Sequence, residues 1–306
     1  VLIAPHTEER FAEAVIAGGG EPASDLDHAD AIIWTDPGNP EGLAGCLDDR
    51  PAISWVQLPF AGIESFFDSG AIRSGPSWTC AKGIYGPATA EHAFTLILSS
   101  ARLIHRHARA KTWRNRGGFG APERRLKGST VLVVGTGGIG SALVPMLLPL
   151  GPRVVAVNRS GRELAGADRT VAMPQLEGVI GEADFVVLAA PLTPETRGLF
   201  DKRMLYRMKS DAWLINVARG GLVVTEDLVG AVQERAIGGA ALDVTDPEPL
   251  PDDHPLWARD NVLITPHVAN TWDMAVPELI ALVTRNVRSF GRGAPLEGIV
   301  DIDAGY

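Results

Sequence analysis

The stretch Val131-Leu132-Val133-Val134-Gly135-Thr136-Gly137-Gly138-Ile139-Gly140 constrains this chain more than any other part of it. Four apolar, β-favouring residues run directly into a G-x-G-x-x-G pattern, and an apolar helical stretch follows. Strand, tight turn and helix N-terminus in that order give the pattern its meaning. Gly135 allows the turn, Gly137 lets the backbone approach a pyrophosphate, and Gly140 lets helix and strand pack closely. The first helical turn, Gly138 and Ile139 included, offers free N–H groups and a partial positive charge to the phosphates. A dinucleotide site on a parallel α/β sheet is the expectation. Pro145 should kink this helix or end it early, because it has no N–H for the helical ladder.

The chain keeps alternating in the same way. Residues 131–134, 154–157, 185–189, 213–217, 239–244 and 262–264 read as buried strands, with near-continuous apolar runs that suit a parallel sheet covered on both faces. Upstream, residues 1–4, 31–34 and 53–56 read as strands of a smaller doubly wound domain. A helical stretch from 88 to about 113 joins the two, apolar first and basic later, and a Gly-rich loop at 117–120 follows. A final helix over 272–290 stops at Gly291, and the tail at 296–302 is placed to return to the first domain. At 306 residues the chain exceeds what one core usually supports, since single cores stop growing at about 250–300 residues. The expected fold is therefore α/β with two doubly wound domains. A Rossmann dinucleotide-binding domain, residues 98–275, is inserted into a discontinuous flavodoxin-like substrate domain, residues 1–97 with 276–306.

Composition narrows the function. A formal net charge of -9 argues against nucleic acid as a partner. The basic stretch holding Arg106, Arg109, Lys111, Arg114, Arg116, Arg124 and Arg125 reads as a solvated helix face or a subunit-contact arm. Cys46 and Cys80 have no metal-ligand spacing, so no metal site is expected, and a reducing compartment is the simplest reading. No apolar run reaches membrane-spanning length and the start has no signal-peptide pattern, so the expected location is the cytoplasm.

The residue that selects between dinucleotides lies at the end of the next strand, where an acidic side chain would hydrogen-bond the ribose of NAD and repel a 2′-phosphate. Here that place reads Val157-Asn158-Arg159-Ser160. Asn158 is neutral, Arg159 can pair with a phosphate dianion, Ser160 can donate a hydrogen bond, and Arg162 is a second cation. NADPH is the expected cofactor, with NADH the alternative that Asn158 would serve.

Three polar residues stand where buried strands end. Arg219 follows Asn216-Val217-Ala218, Glu248 sits in Asp243-Val244-Thr245-Asp246-Pro247-Glu248-Pro249-Leu250, and His267 sits in Thr265-Pro266-His267-Val268-Ala269. Ligand crevices of open α/β sheets lie at the carboxyl ends of strands, so the three are placed to converge. Reducing a 2-oxoacid needs a hydride at the carbonyl carbon and a proton at its oxygen. His267 suits the proton donor, Glu248 would favour its imidazolium and fix its orientation, and Arg219 can hold a carboxylate in its planar fork.

With these stretches, and with Pro191-Leu192-Thr193-Pro194-Glu195-Thr196, His254-Pro255-Leu256-Trp257 and Ala90-Glu91-His92, the chain resembles the D-isomer-specific 2-hydroxyacid dehydrogenases from about residue 85 to 275. The resemblance implies the same roles for Arg219, Glu248 and His267, and a glyoxylate or hydroxypyruvate reductase type of activity on a small 2-oxoacid. It implies that Asp243 lies near the nicotinamide carboxamide, that Pro191, Leu192, Thr193 and Thr196 line the cofactor groove, and that Val217 and Ala218 lie beneath the nicotinamide. It also implies that Leu58-Pro59-Phe60-Ala61-Gly62-Ile63 is the substrate loop, with the N–H groups of Ala61 and Gly62 on the carboxylate. Tyr85 and Trp272 are pocket walls or core residues. The resemblance further implies a homodimer joined through the dinucleotide domains. Alternatives within the same family are a dinucleotide-sensing binding protein of corepressor type and a phosphite dehydrogenase. Formate dehydrogenases carry Gln where Glu248 stands.

Overall fold

The structure, a computed structural model, describes residues 1–48, 50–113 and 123–302. The Gly-rich loop at 117–120 lies outside them, as do Arg114 and Arg116. The chain packs as two units, Val1–Tyr85 with Thr271–Tyr306, and Gly86–Asn270. The expected boundaries at 97/98 and 275/276 fall inside helices that each belong wholly to one unit.

The first unit is built on a sheet of parallel strands in the order β1 (Leu2–Ala4), β2 (Ala31–Trp34), β3 (Trp55–Gln57), β4 (Ser77–Thr79). Ile32, Trp34 and Val56 point to one face, where α2 (Pro40–Leu47) and α3 (Glu64–Asp68) cover them. Ile3, Ala31, Ile33 and Trp55 point to the other, under α1 (Glu9–Ala17) and the last helix of the chain. Covered on both faces, β1 and β2 read as unbroken apolar runs rather than as alternation. On the outer side of β1, the Val1 amine donates to the Glu21 carbonyl at 2.8 Å and the Ala23 N–H donates to the Val1 carbonyl at 2.9 Å. Segment 21–23 therefore lies beside β1, and the strand progression reverses there, as in a doubly wound sheet. Pro22 has no N–H to extend the ladder, which confines this segment to the edge.

Strand β4 has no counterpart in the sequence expectation, because Ser74-Gly75-Pro76 in front of it reads as loop. The tail does return to this unit. Ile299 forms an antiparallel bridge with Thr79, and the Val300 N–H donates to the Trp78 carbonyl at 2.9 Å.

The second unit opens with α4 (Gly86–Ala101) and α5 (Ile104–Arg109). The single helix expected over 88–113 is broken at Leu103, which is buried in the left-handed region at φ 50°. Beyond the break the basic residues meet carboxylates of the same unit. Arg106 pairs with Asp260, and Arg124 pairs with Asp184 and Asp211.

Parallel strands β5 (Thr130–Val134), β6 (Arg153–Asn158), β7 (Arg169–Ala172), β8 (Phe185–Leu188), β9 (Trp213–Asn216), β10 (Gly239–Leu242) and β11 (Val262–Ile264) form the main sheet. Its order is β11-β10-β9-β8-β5-β6-β7. Val131 and Val133 face α4 and α6 (Gly138–Leu147), while Leu132 and Val134 face α7 (Leu176–Val179), α8 (Lys202–Leu205) and α9 (Thr225–Gln233). Edge strand β7 is half-buried throughout, which is why Arg169-Thr170-Val171-Ala172 carries no buried-strand signal. Pro145 does not end α6, which runs on to Leu147 and tightens into a 3-10 turn at Leu148–Leu150. The chain closes with α10 (Trp272–Gly291), packed on α1 in the first unit. Among the described residues no helix is long and apolar enough to cross a membrane.

Two glycine substitutions should separate close packing from helix propensity. A Cβ on Gly140 would lie 2.1 Å from the Gly135 carbonyl oxygen, whereas one on Gly230 in α9 meets nothing within 4 Å. Denaturant unfolding should show Gly140→Ala costing about 2–3 kcal/mol and Gly230→Ala gaining about 0.5–1 kcal/mol.

Candidate active site

In the main sheet the chain runs outward from β5 through β6 to β7, then returns to the other side of β5 at β8 and continues to β11. The reversal lies between the carboxyl ends of β5 and β8, where such sheets form their ligand crevice. Gly135 leaves β5 there at φ 104°, with its Cα facing the Ala189–Ala190 backbone so closely that a Cβ would lie 2.4 Å from the Ala189 oxygen. Gly137 is open, with nothing within 4 Å of the place of a Cβ. No side chain among the described residues caps α6 at Gly137, so the first turn, Gly138, Ile139 and Gly140, keeps its N-terminal donors for an outside acceptor. A bare glycine surface beside an uncapped helix start fits a pyrophosphate, so the residues present fit a dinucleotide.

Across the crevice, Thr196 Oγ1 donates to the Pro191 carbonyl at 2.7 Å and accepts from the Thr193 N–H at 2.8 Å. Its hydroxyl closes the 191–196 turn. At the end of β6 the amide of Asn158 is fully used in the same manner. Nδ2 donates to Thr136 Oγ1 at 3.2 Å and to the Arg162 carbonyl at 2.7 Å, and Oδ1 accepts from the N–H groups of Ser160 and Arg162 at 3.2 and 3.1 Å. Two donors and two acceptor sites are all that an amide has. Asn158 thus holds the loop to the glycine turn instead of presenting a hydrogen bond to a ribose. The loop it shapes exposes Arg159, Ser160 and Arg162.

Strands β9, β10 and β11 are neighbours and parallel, so their carboxyl ends bring Arg219, Glu248 and His267 to one edge of the unit. The Asn216 side chain turns the chain after β9, accepting from the Ala218 N–H at 3.1 Å and donating to the Arg219 carbonyl at 2.9 Å. Buried Val217 and Ala218 anchor this turn, and the Arg219 guanidinium donates to the Ala218 carbonyl at 2.7 Å. Gly220 presses on the loop after β10, where a Cβ would sit 1.9 Å from the Thr245 oxygen, so the Arg219 and Glu248 loops are in contact. The His267 Nδ1 donates to Glu248 Oε1 at 2.5 Å, and both side chains are partly exposed. An open pocket of about 460 Å³ adjoins the dyad, with Trp257 and Ile264 on its walls.

His267 stands at φ 53°, a left-handed conformation that costs a residue with a side chain about 1–3 kcal/mol. The buried carboxylate of Asp243 holds it there. Its Oδ1 accepts from Thr265 Oγ1 at 2.6 Å and from the Val268 N–H at 3.0 Å, and its Oδ2 accepts from the Ala269 N–H at 3.0 Å. The Asp243 carbonyl takes the His267 N–H at 2.8 Å. Burial alone would raise this carboxyl, but the donated hydrogen bonds from His92, Thr265, Val268 and Ala269 outweigh it and hold it below its ordinary range. The family resemblance implies that Asp243 lies near the nicotinamide carboxamide. The structure gives it the loop that carries His267, and one acceptor position on Oδ2 remains for a further donor. His92 and Thr265 complete this network although neither stood among the expected site residues. Nothing in their spacing signals a contact, because they are 173 positions apart.

In the first unit, the loop at 58–63 links β3 to α3. Phe60 packs edge-on against Tyr85 and Trp272, with ring centroids 6.0 and 5.9 Å away. The Tyr85 hydroxyl donates to the Pro59 carbonyl at 3.3 Å, and burial pushes its phenol well above the usual range. Ala61 is exposed and Gly62 half-buried. Tyr85 and Trp272 therefore brace the loop through Phe60.

Residues 94–269 match the family model for the NAD binding domain of D-isomer specific 2-hydroxyacid dehydrogenases. Glyoxylate reductase of Pyrococcus furiosus is 33% identical over 254 residues, covering 81% of this chain and 75% of that protein. The crystal structure of an NADPH-dependent glyoxylate/hydroxypyruvate reductase from Sinorhizobium meliloti, in complex with NADP and sulfate, superposes with a TM-score of 0.82 at 25% identity, covering 100% of this chain and 99% of that one. D-lactate dehydrogenase with NAD+ from Lactobacillus jensenii gives a TM-score of 0.74 at 25% identity, covering 98% and 99%. The chain belongs to the D-isomer specific 2-hydroxyacid dehydrogenase family. It is an NAD(P)-dependent oxidoreductase of that class.

Replacing Asp243 with Ala strands the buried Ala269 N–H and the part-buried Val268 N–H and should cost about 3 kcal/mol in denaturant unfolding. The folded carboxyl lies below its unfolded value, so its stabilisation is complete above the ordinary carboxylate range and is lost as pH falls through the lowered value. The wild-type minus Ala difference should accordingly persist at neutral pH and shrink only in strong acid.

Proposed function

We propose that this enzyme reduces a small 2-oxoacid to the D-2-hydroxyacid and prefers NADPH as the reductant. The His267–Glu248 contact carries this reading, standing at a strand end two places along the sheet from that of Arg219. A bound nicotinamide supplies the hydride. His267 turns Nδ1 to Glu248, so Nε2 is the nitrogen left to give a proton to the carbonyl oxygen. Glu248 fixes the ring plane. Arg219 offers a planar fork to the substrate carboxylate and polarises the carbonyl. In the first unit, the substrate loop offers the N–H groups of Ala61 and Gly62 to a carboxylate, and Phe60 and Tyr85 set its shape. Glyoxylate and hydroxypyruvate are the substrates to try first.

The preference for NADPH rests on the loop after β6. Asn158 is spent on that loop, no carboxylate stands at the end of β6 in its place to repel a 2′-phosphate, and Arg159 and Arg162 are exposed with no ion pair among the described residues. Cytoplasmic location and a homodimer belong to the same proposal. Two free cysteines suit a reducing compartment, and Ile104 and Trp113 expose large apolar side chains on the arm that the family resemblance assigns to the subunit contact.

Nicotinamide absorbance against a panel of 2-oxoacids tests the reaction. His267→Ala should lower kcat by about 10²–10⁴ while cofactor affinity stays nearly unchanged. Full activity in that variant would overturn the proton-donor assignment. Arg159→Ala should lower kcat/KM with NADPH by about 10–100-fold and leave that with NADH little altered. Equal wild-type efficiency with the two nucleotides would refute the preference.

A further inference from the structure

We infer that His92, on α4, is a positioning residue for the proton donor, acting through Thr265 and Asp243 on the loop that carries His267. The inference rests on the reading of His267 as that donor. His92 Nε2 lies 2.9 Å from Thr265 Oγ1 and 3.3 Å from Asp243 Oδ1. Thr265 has already given its one proton to Asp243, at 2.6 Å. Its oxygen can therefore only accept from the ring, so His92 Nε2 carries a hydrogen and shares it between the hydroxyl and the carboxylate.

The ring is tied to a rigid base. Ala90, Ala93, Leu96 and Ile97 on the same helix are buried in the core beneath the main sheet. Only 19% of the His92 side chain is exposed, and 1% of that of Asp243. From this base one N–H reaches the two groups that fix the loop at both ends. Thr265 precedes the strained residue, and the Asp243 carboxylate gathers the N–H groups that follow it, from Val268 and Ala269. Without the His92 donor, Thr265 Oγ1 keeps only its bond to Asp243, and the carboxylate loses its one donor from outside the loop region. The bonds that remain hold the loop through a carboxylate that is itself less firmly aimed, so they oppose relaxation of His267 from φ 53° less strongly. A shift of the backbone there moves the imidazole away from its reacting position while the fold stays intact, and catalysis is steeply sensitive to such misplacement.

The experiment uses the full chain with glyoxylate or the best substrate of the panel, and compares His92→Leu, His92→Gln, Thr265→Val and His267→Ala. Leucine fills the space without donating, glutamine restores a donor, and valine removes the hydroxyl relay. His92→Leu and Thr265→Val should each lower kcat about tenfold, with the dissociation constant of the cofactor and Tm near the wild-type values. His92→Gln should recover to within about threefold of wild type, and the Leu/Val double variant should be no worse than either single one, because both break the same chain of bonds. Wild-type kcat in His92→Leu overturns the inference. So does a joint collapse of kcat, cofactor affinity and Tm, or a Gln variant no better than Leu. Undiminished turnover in His267→Ala would instead remove the proton-donor reading itself, whatever the His92 variants do.

Discussion

A parallel strand cannot be followed directly by its neighbour. The chain must return across a face of the sheet before the next strand starts, so every strand ends at the same edge. Seven strands of the second unit obey this constraint, and the chemistry of the molecule follows from it. The glycine turn after β5, the Asn158 loop after β6, the 191–196 turn beyond β8 and the loops of Arg219, Glu248 and His267 all emerge on one side. Residues far apart in sequence become neighbours because their strands do. Arg219, Glu248 and His267 need no special folding instruction beyond the order β9-β10-β11.

Emerging at the same edge brings loops together without giving them a shape. Short polar side chains do that here, by closing turns onto their own backbone. Asn216 shapes the turn of Arg219, Thr196 that of 191–196, Asn158 the loop after β6, and Asp243 the loop of His267. Each spends its hydrogen bonds on N–H and C=O groups that the strands leave behind, groups that must be satisfied when partly buried. The residue that touches a ligand and the residue that aims it are thus distinct, and the second type sits closer to the strand. Asp243 is the strongest case, since a buried carboxylate with four donors offsets the backbone cost of His267 at φ 53°.

Much of this was legible in the amino-acid order. Buried strands announce themselves as Val- and Ile-rich runs, and the glycine spacing at 135–140 predicts the turn that the structure shows. The edge elements were not legible. Strand β7 is half-buried, β4 follows Ser-Gly-Pro, and segment 21–23 contains Pro22, so none carries the apolar run that burial on two faces imposes. The break at Leu103 was hidden as well, because apolar periodicity continues through a residue that turns left-handed while staying buried. In the site, residue types identified chemistry but not wiring. Asn158 and Asp243 have the composition of ligand contacts, and only coordinates reveal that Asn158 is fully hydrogen-bonded to its own loop and that Asp243 also holds the loop of His267. His92 was visible as part of a motif, yet its partner Thr265 arrives just after β11, more than half the chain later.

The charge distribution follows the same division. The chain carries a formal charge of -9, yet it must hold an anionic cofactor and, on the proposed reading, an anionic substrate. Its described cations outside the crevice are largely matched to local carboxylates, as Arg106 is to Asp260, Arg124 to Asp184 and Asp211, and Arg285 to Glu297. Arg159 and Arg162 are not matched in this way, and they stand beside the uncapped start of α6 through the Asn158–Thr136 bond. Net charge acts over distances that salt screens beyond about 8–10 Å, whereas helix N–H groups and guanidinium forks act at contact. An acidic surface and an anion-binding edge are therefore compatible, because the surface sets solubility while the strand ends set affinity.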